Sequence, residues 1–562
     1  MKSTLQKANK TKAEPFPRKL ARNPQALGSF LSVSKGIDIY GFLDPIFGTS
    51  KGVTLQFTVP GNTTSFANTA SYQGLQPPTV PNGIVAPQGM QVDSSEIGFW
   101  DYTGNFSWSA IDAFEPSTPL VEGSVAISPY SGNSEGTVTD MFNTPSSIIA
   151  VGTVQNTSPI SVSYGFYDSG LGYAGLPNQD QFYLYVAQSA QTWMTGAASA
   201  IGSVPLSQLC LPGAHDAGMC TMQSVYTMMD SVEGYAFEAL VAVLVTALTS
   251  DIVGPVSPLL GAYAAANAIN AIRNFSITQK DSITGMLNSG IRYFDFRPGY
   301  MYSWLPSLGG ALYHQHMMIP GYGYVNFLQD ILAFCSANPG EIVVISLCDD
   351  GFSDKAEMSP TDGDLQTAWL SACAGATNVS GQTGVYNIAP VGGPTALSAT
   401  CNALLQGTIN NAVNTGSTVP ITSNQVVFLY DMTNAHDYTA VKWDSYSDPV
   451  YATLDPTPIR AAMEGMSTAT STGDYTVLQC QGTCTNLGPI RVASCLINSP
   501  GGSPLLSTKA AFDSCNLGWL WTNGSTFSSS QLLAVLNDFA DNATVTTALA
   551  INNKRIQNFP LP

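Results

Sequence analysis

The sequence predicts an α/β protein in which a TIM-type (β/α) barrel follows an all-β sandwich domain. Three observations carry that expectation. The 562 residues exceed what one hydrophobic core usually serves, so two folded units are expected. Residues 36–190 are rich in Thr, Ser, Asn, Gly and Pro, with short β-branched and aromatic runs and no convincing helix. In residues 191–562, apolar strand runs alternate with helical patterns, as βα units on a mainly parallel sheet require.

Residues 1–35 carry eight of the chain's 20 Lys and Arg and lack the apolar core of a secretory signal. They read as a basic, disordered tail, either solvated or lying on an acidic surface. The all-β region beyond it has runs such as residues 53–59, 148–154 and 182–186, punctuated by Pro- and Gly-containing turns. Lys51 is its only cation against twelve acidic residues, so nucleic acid is excluded as a partner, because phosphate binding needs clustered cations. No Lys or Arg lies between Lys51 and Arg273, which argues against an anionic lipid surface here. Its aromatics Trp100, Tyr102 and Trp108 serve a core or, if exposed, a sugar or partner.

The third region turns on residues 208–220. Leu206, Leu209 and Leu211 form a short apolar run, Pro212 and Gly213 end it, and Gly218 permits a sharp exit. His215 and Asp216 therefore sit at the C-terminal tip of a strand, where a carboxylate beside an imidazole suits a general base. Residues 290–299 form a second strand with Asp295 and Arg297 on one face, since strand side chains alternate with period two. Residues 312–316 place His314 and His316 on one face for the same reason. Residues 278–290 read as the helix before the second strand, stopped by Gly290. Residues 324–335 have helical spacing, Asn338, Pro339 and Gly340 break it, and residues 341–347 form another buried strand.

Taken together, these four linked segments resemble the phosphatidylinositol-specific phospholipase C-like (PLC-like) phosphodiesterases. That family has a Leu-Pro-Gly-Thr-His-Asp-Ser-like first strand, a Gly-x-Arg-x-x-Asp-x-Arg second strand, a third strand ending in His, and a helix followed by an Asn-Pro-x-Glu strand. The resemblance covers roughly residues 193–555. It implies a distorted, incomplete barrel, with His215 as general base, His316 as general acid and Arg297 neutralising charge on the phosphoryl oxygens. His314 is the rival for the acid, because a two-residue register shift keeps the same face. Calcium-using relatives place oxygen ligands at positions matching Asp216, Asp295 and Arg297. An arginine at the third position implies catalysis with no metal cofactor, calcium being disfavoured.

Within this region, residues 236–248 are strongly apolar but too short for the ~20 residues of a transmembrane helix. They read as a helical insert packed on the barrel or as an apolar rim making peripheral membrane contact. Residues 425–431 and 475–480 are further strands, residues 531–540 read as a helix, and residues 543–551 take the place of the closing strand. All ten cysteines fall after residue 209, and with seven Asn-x-Ser/Thr sequons they suit disulfides and a secreted or extracytoplasmic setting.

Two departures from the family bear on the substrate. The closing strand as read contains no acid to support the base, and Tyr430 and Asp431 stand where an inositol-contacting Arg is expected. Asp431 and, loosely, Asp448 are the candidate head-group contacts. A phospholipid or inositol-containing substrate is expected, cleaved by attack of a neighbouring hydroxyl to give a cyclic phosphate. A related enzyme acting on another head group, and a toxin-like binding protein with a degenerate barrel, are the other classes the sequence allows.

Overall fold

The computed structural model describes residues 37–43, 53–59, 62–68, 104–112, 119–127, 147–149, 159–167, 180–230, 272–301, 310–316, 319–352, 354–375, 388–409, 423–482 and 503–560. The basic tail and the apolar insert 236–248 lie outside these residues. No helix among the described residues is long and apolar enough to cross a membrane.

Among the described residues, the N-terminal region contributes eight strands in two four-stranded sheets. The first, ordered β1-β8-β7-β6, contains β1 (Ile37–Leu43), β6 (Ser147–Ile149), β7 (Ile160–Tyr167) and β8 (Asp180–Gln188), with β1 parallel to β8 and the other pairs antiparallel. The second, antiparallel throughout and ordered β3-β2-β4-β5, contains β2 (Val53–Val59), β3 (Asn62–Asn68), β4 (Gly104–Asp112) and β5 (Pro119–Ile127). Trp108 of β4 lies 4.5 Å from the Phe182 ring and 5.6 Å from that of Tyr164, so this aromatic is spent on packing the two sheets together. Trp100 and Tyr102 fall outside the described residues.

The remainder is organised on an eight-stranded sheet that is parallel at every pairing. Its strands are β9 (Cys210–Ala214), β10 (Tyr293–Phe296), β14 (Val343–Cys348), β15 (Val391–Gly392), β16 (Val426–Asp431), β17 (Lys442–Asp444), β18 (Tyr475–Gln479) and β19 (Leu532–Asn537), ordered β15-β16-β14-β10-β9-β19-β18-β17. A flat sheet would hold β14 and β18 about 19 Å apart, four spacings of ~4.8 Å. Instead Ser346 Oγ of β14 lies 3.3 Å from the Tyr475 hydroxyl of β18, so the sheet curls round its own core. Between β15 and β17 no ladder forms among the described residues, and the curl is open on that side.

The approach to β10 follows its sequence closely. Helix Ile283–Ser289 starts at Ser282, whose side chain accepts from Gly285 N–H, and ends at Gly290 in the left-handed region at φ 109°. Beneath the strands, Arg292 Nε and Nη2 donate to Glu341 Oε2 at 3.0 and 2.8 Å, and Thr195 donates to the other oxygen through its N–H and hydroxyl. This buried pair ties the entries of β10 and β14 together.

The structure differs from the sequence reading in three places. Residues 532–537 are the interior strand β19, paired with β9 and β18, and Asn542–Arg555 is a helix, the reverse of the expected order. The strand is buried throughout and so is the helix over residues 542–552, which removes the alternation that separates strand from helix, so only length arbitrates. The β-branched residues are tolerated because Thr546 and Thr547 donate their hydroxyls to the carbonyls four residues earlier. Secondly, β12 (Leu312–His316) is not a barrel strand. It lies in an antiparallel excursion between β11 (Pro298–Tyr300) and β13 (Ile319–Gly323). Thirdly, the eight described cysteines are free thiols, so the disulfide expectation fails for them; Cys484 and Cys495 lie outside the described residues. Buried thiols pack as small apolar groups, and burial pushes those of Cys210, Cys335 and Cys401 up to about 12. Two of the sequon asparagines, Asn274 and Asn542, are themselves buried.

Candidate active site

The site is built where β9 and β10 end. After β9 the chain turns sharply through Asp216, a non-glycine residue held at φ 43°. Such a conformation persists only where the surroundings fix it. Here His215 N–H donates to Asn537 O at 3.0 Å, Ala217 N–H to Asp295 O at 2.8 Å, and the side chains of Thr278 and Gln279 donate to the Asp216 and His215 carbonyls at 3.0 and 2.7 Å. Gly218 lets the turn pass against the strand carrying His314, since a Cβ there would collide with His314 Cβ.

Asp216, itself buried, is ringed by cations and imidazoles. Arg297 Nε lies 2.8 Å from Oδ1, with His314 Nε2 at 3.3 Å; His215 Nε2 and His316 Nε2 lie 3.5 and 3.7 Å from Oδ2. Burial alone would raise its proton affinity, but the Arg297 guanidinium and His215 outweigh it and hold the carboxyl well below the usual range. Arg297 also reaches Asp295 Oδ2 at 3.3 Å, which holds that buried carboxyl low as well.

The two candidate proton-transfer histidines have different environments. His215 Nδ1 lies 2.8 Å from Asp538 Oδ1, and Arg297 Nη2 faces Nε2 at 3.1 Å, so in the neutral ring the partners assign the one proton to Nδ1. Burial disfavours the charged ring, but Asp216 and Asp538 overcome it and raise the imidazole to about 9. Across the site, burial lowers His316 to about 4, and its side chain is 18 % exposed. His314 is fully buried; its Nδ1 accepts from Arg297 N–H at 3.1 Å, leaving Nε2 directed at Asp216, and its ring packs edge-on to Phe296.

The sequence-predicted residues His215, Asp216, Asp295, Arg297, His314 and His316 thus converge, whereas the candidate head-group contacts do not join them. Asp431 ends β16 at a half-exposed rim, 3.9 Å from Lys442 Nζ. Asp448 opens the short helix Asp448–Tyr451, and its side chain lies outside the described residues. Two groups escape the sequence reading. Asp538 follows β19 and supplies the acid that the expected closing strand lacks; an apolar run ending in Asn537 and Asp538 is its signal. Lys442 of β17 gathers Asp444 at 3.4 Å and Asp350 at 3.6 Å, and its charge also acts on Asp295.

His215, Asp216 and Asp295 each offer a ligand atom within 4.8 Å of the others. The space between them nevertheless does not fit a divalent cation, because the Arg297 guanidinium fills it and contacts all three side chains.

No family model and no curated protein matches the chain. Among solved structures, a phosphatidylinositol-specific phospholipase C of Staphylococcus aureus is 14 % identical, covering 64 % of this chain and 97 % of that one at a TM-score of 0.34. The enzyme of that name from Listeria monocytogenes is 14 % identical, covering 65 % and 99 % at a TM-score of 0.32. Likenesses this low transfer no activity, and the chemistry open to this chain is set by its own site residues.

The contrast between the third-strand histidines has a measurable consequence. His314→Ala removes a packed ring, its contact to Asp216 and the acceptor of Arg297 N–H, an expected stability cost of about 2–4 kcal/mol by analogy with other large-to-small core changes. Thermal unfolding should fall by a few degrees, while turnover assayed well below the transition falls less than about tenfold. A loss as large as that of His316→Ala would exchange the two roles.

Proposed function

We propose that this protein is a metal-independent phosphodiesterase that cleaves a phospholipid of the phosphatidylinositol type. The observation supporting it is the placement of two histidines, one held by Asp538 and one partly exposed, beside the same Asp216 oxygen, with the Arg297 guanidinium on the other oxygen of that carboxylate.

The bound phosphate diester draws the Arg297 guanidinium onto its non-bridging oxygens, where it meets the charge that grows in the transition state. That movement frees His215 Nε2 to accept the proton of the attacking neighbouring hydroxyl, while Asp538 steadies the imidazolium through Nδ1. His316 donates its proton to the leaving alkoxide of diacylglycerol, and a cyclic phosphate remains on the head group. The anionic phosphate offsets the burial that depresses His316, so its protonated form is favoured when substrate is bound.

The test is product analysis on vesicles containing phosphatidylinositol: a cyclic inositol phosphate and diacylglycerol are expected. Release of a phosphorylated lipid, or no release from any phospholipid, overturns the reading. The metal-independent part is separately measurable. Turnover is expected to be the same in excess chelator as with added calcium, because the guanidinium supplies the positive charge. A chelator-sensitive rate restored by calcium contradicts it.

A further inference from the structure

Behind the site lies a second, fully buried charged cluster that the proposed chemistry does not use. Lys509 Nζ lies 2.6 Å from Asp513 Oδ2 and 3.2 Å from Asp541 Oδ2, and all three residues are withdrawn from water. Its walls come from two parts of the chain. Asp513 begins the π-helical stretch Asp513–Leu517, a form that recurs at functional sites, and Asp541 caps helix Asn542–Arg555 through Ala543 N–H. From the N-terminal sheet, the rings of Tyr183 and Tyr185 on β8 each lie 5.7 Å from Lys509 Nζ. Asn542 donates to Ser161 O at 2.8 Å and Tyr185 O at 2.9 Å, fixing the sheet in place.

The cluster is joined to the base. Asn537 Nδ2 donates to Asp513 Oδ1 at 2.7 Å, and the Asn537 carbonyl accepts from His215 N–H and from Gln279. The next residue is Asp538, the partner of His215 Nδ1, and Ala540 N–H donates to Gln279 Oε1 at 2.9 Å. The segment 537–541 is therefore held at one end by His215 and Gln279 and at the other by Lys509.

We propose that Lys509, sealed by Tyr183 and Tyr185, is a positioning residue for the Asp538–His215 pair, which makes the N-terminal sheet part of the catalytic scaffold and not a separable recognition module. This rests on the proposed function for its kinetic consequence but not for its direct one. Burial raises the proton affinity of Asp538 above the ordinary carboxylate range, and Lys509, with His215, opposes that rise, so its charge reaches the partner of the base electrostatically. The charged and titratable groups facing His215 are Asp216, Asp538, Arg297, Asp295 and His316; those facing Lys509 are Asp513, Asp541, Asp538, Lys280, Cys480, Tyr183 and Tyr185.

The chain has four histidines, so the His215 ring can be followed by NMR in ring-labelled full-length protein, assigned with His215→Gln. In Lys509→Met, loss of a buried positive charge is expected to raise the pH at which His215 titrates by half a unit or more, and to reduce kcat about tenfold with KM little changed. Asn537→Ala keeps the lysine cluster and cuts its link to the turn; it is expected to disturb the His215 resonance and lower kcat even if Lys509→Met does not fold. An unchanged His215 titration in folded Lys509→Met, or a wild-type ring and rate in Asn537→Ala, overturns the inference. Because the titration needs no turnover, a wild-type protein without phosphodiesterase activity refutes the proposed function alone.

Discussion

His215→Ala and His316→Ala are each expected to lower kcat on a phosphatidylinositol substrate by about 10²–10⁴-fold, the range of a single positioned proton transfer. The two act on opposite ends of one displacement, so the double variant should lose much less than the product of the single losses. Folding is expected to survive in His316→Ala, because its side chain is partly exposed and its Nε2 is 3.7 Å from Asp216, too far for a strong contact. His215→Ala leaves Asp538 buried beside an empty place, and its melting temperature should fall as well. Measured kcat with thermal unfolding on the same samples separates chemistry from stability. Near-wild-type turnover in either single variant would refute its proton-transfer role.

The residues of the site are legible where local chemistry dictates them. Strand alternation places Asp295 and Arg297 on one face, and the structure brings their side chains to 3.3 Å. Gly290 stops its helix through a left-handed φ that few other residues adopt. Legibility fails where burial is total. Residues 532–537 and 542–552 present no exposed face to set a period, their polar side chains being buried as well, and the helix even contains the β-branched residues expected of a strand. That one exchange hides Asp538, since an acid within a presumed helix has no reason to be paired with a histidine 323 residues earlier. The free thiols elude the sequence for a different reason. An even cysteine count describes composition, whereas pairing depends on separation in space, which periodicity does not encode.

The pairing of Asp538 with His215 predicts the pH response. The two histidines titrate as a pair, and the one-proton state is the active one, whichever ring holds the proton at rest. With His316 lowered to about 4 and His215 raised to about 9, kcat/KM should be bell-shaped, falling as the pair gains a second proton below about 4 and loses its only proton above about 9. A folded-state affinity raised above the ordinary histidine value also stabilises the fold. That contribution is complete below about 6.5 and is lost as pH rises through about 9. Asp538→Asn removes one of the two carboxylates that raise His215. Its alkaline limb should therefore move toward neutral pH, with kcat falling about 10²–10⁴-fold because the imidazolium loses its counter-charge and its fixed tautomer. The acid limb, set by His316 on the other side of Asp216, should move little. If the alkaline limb of Asp538→Asn stays where it is in the wild type, some group other than His215 sets it, and the proposed base is wrong.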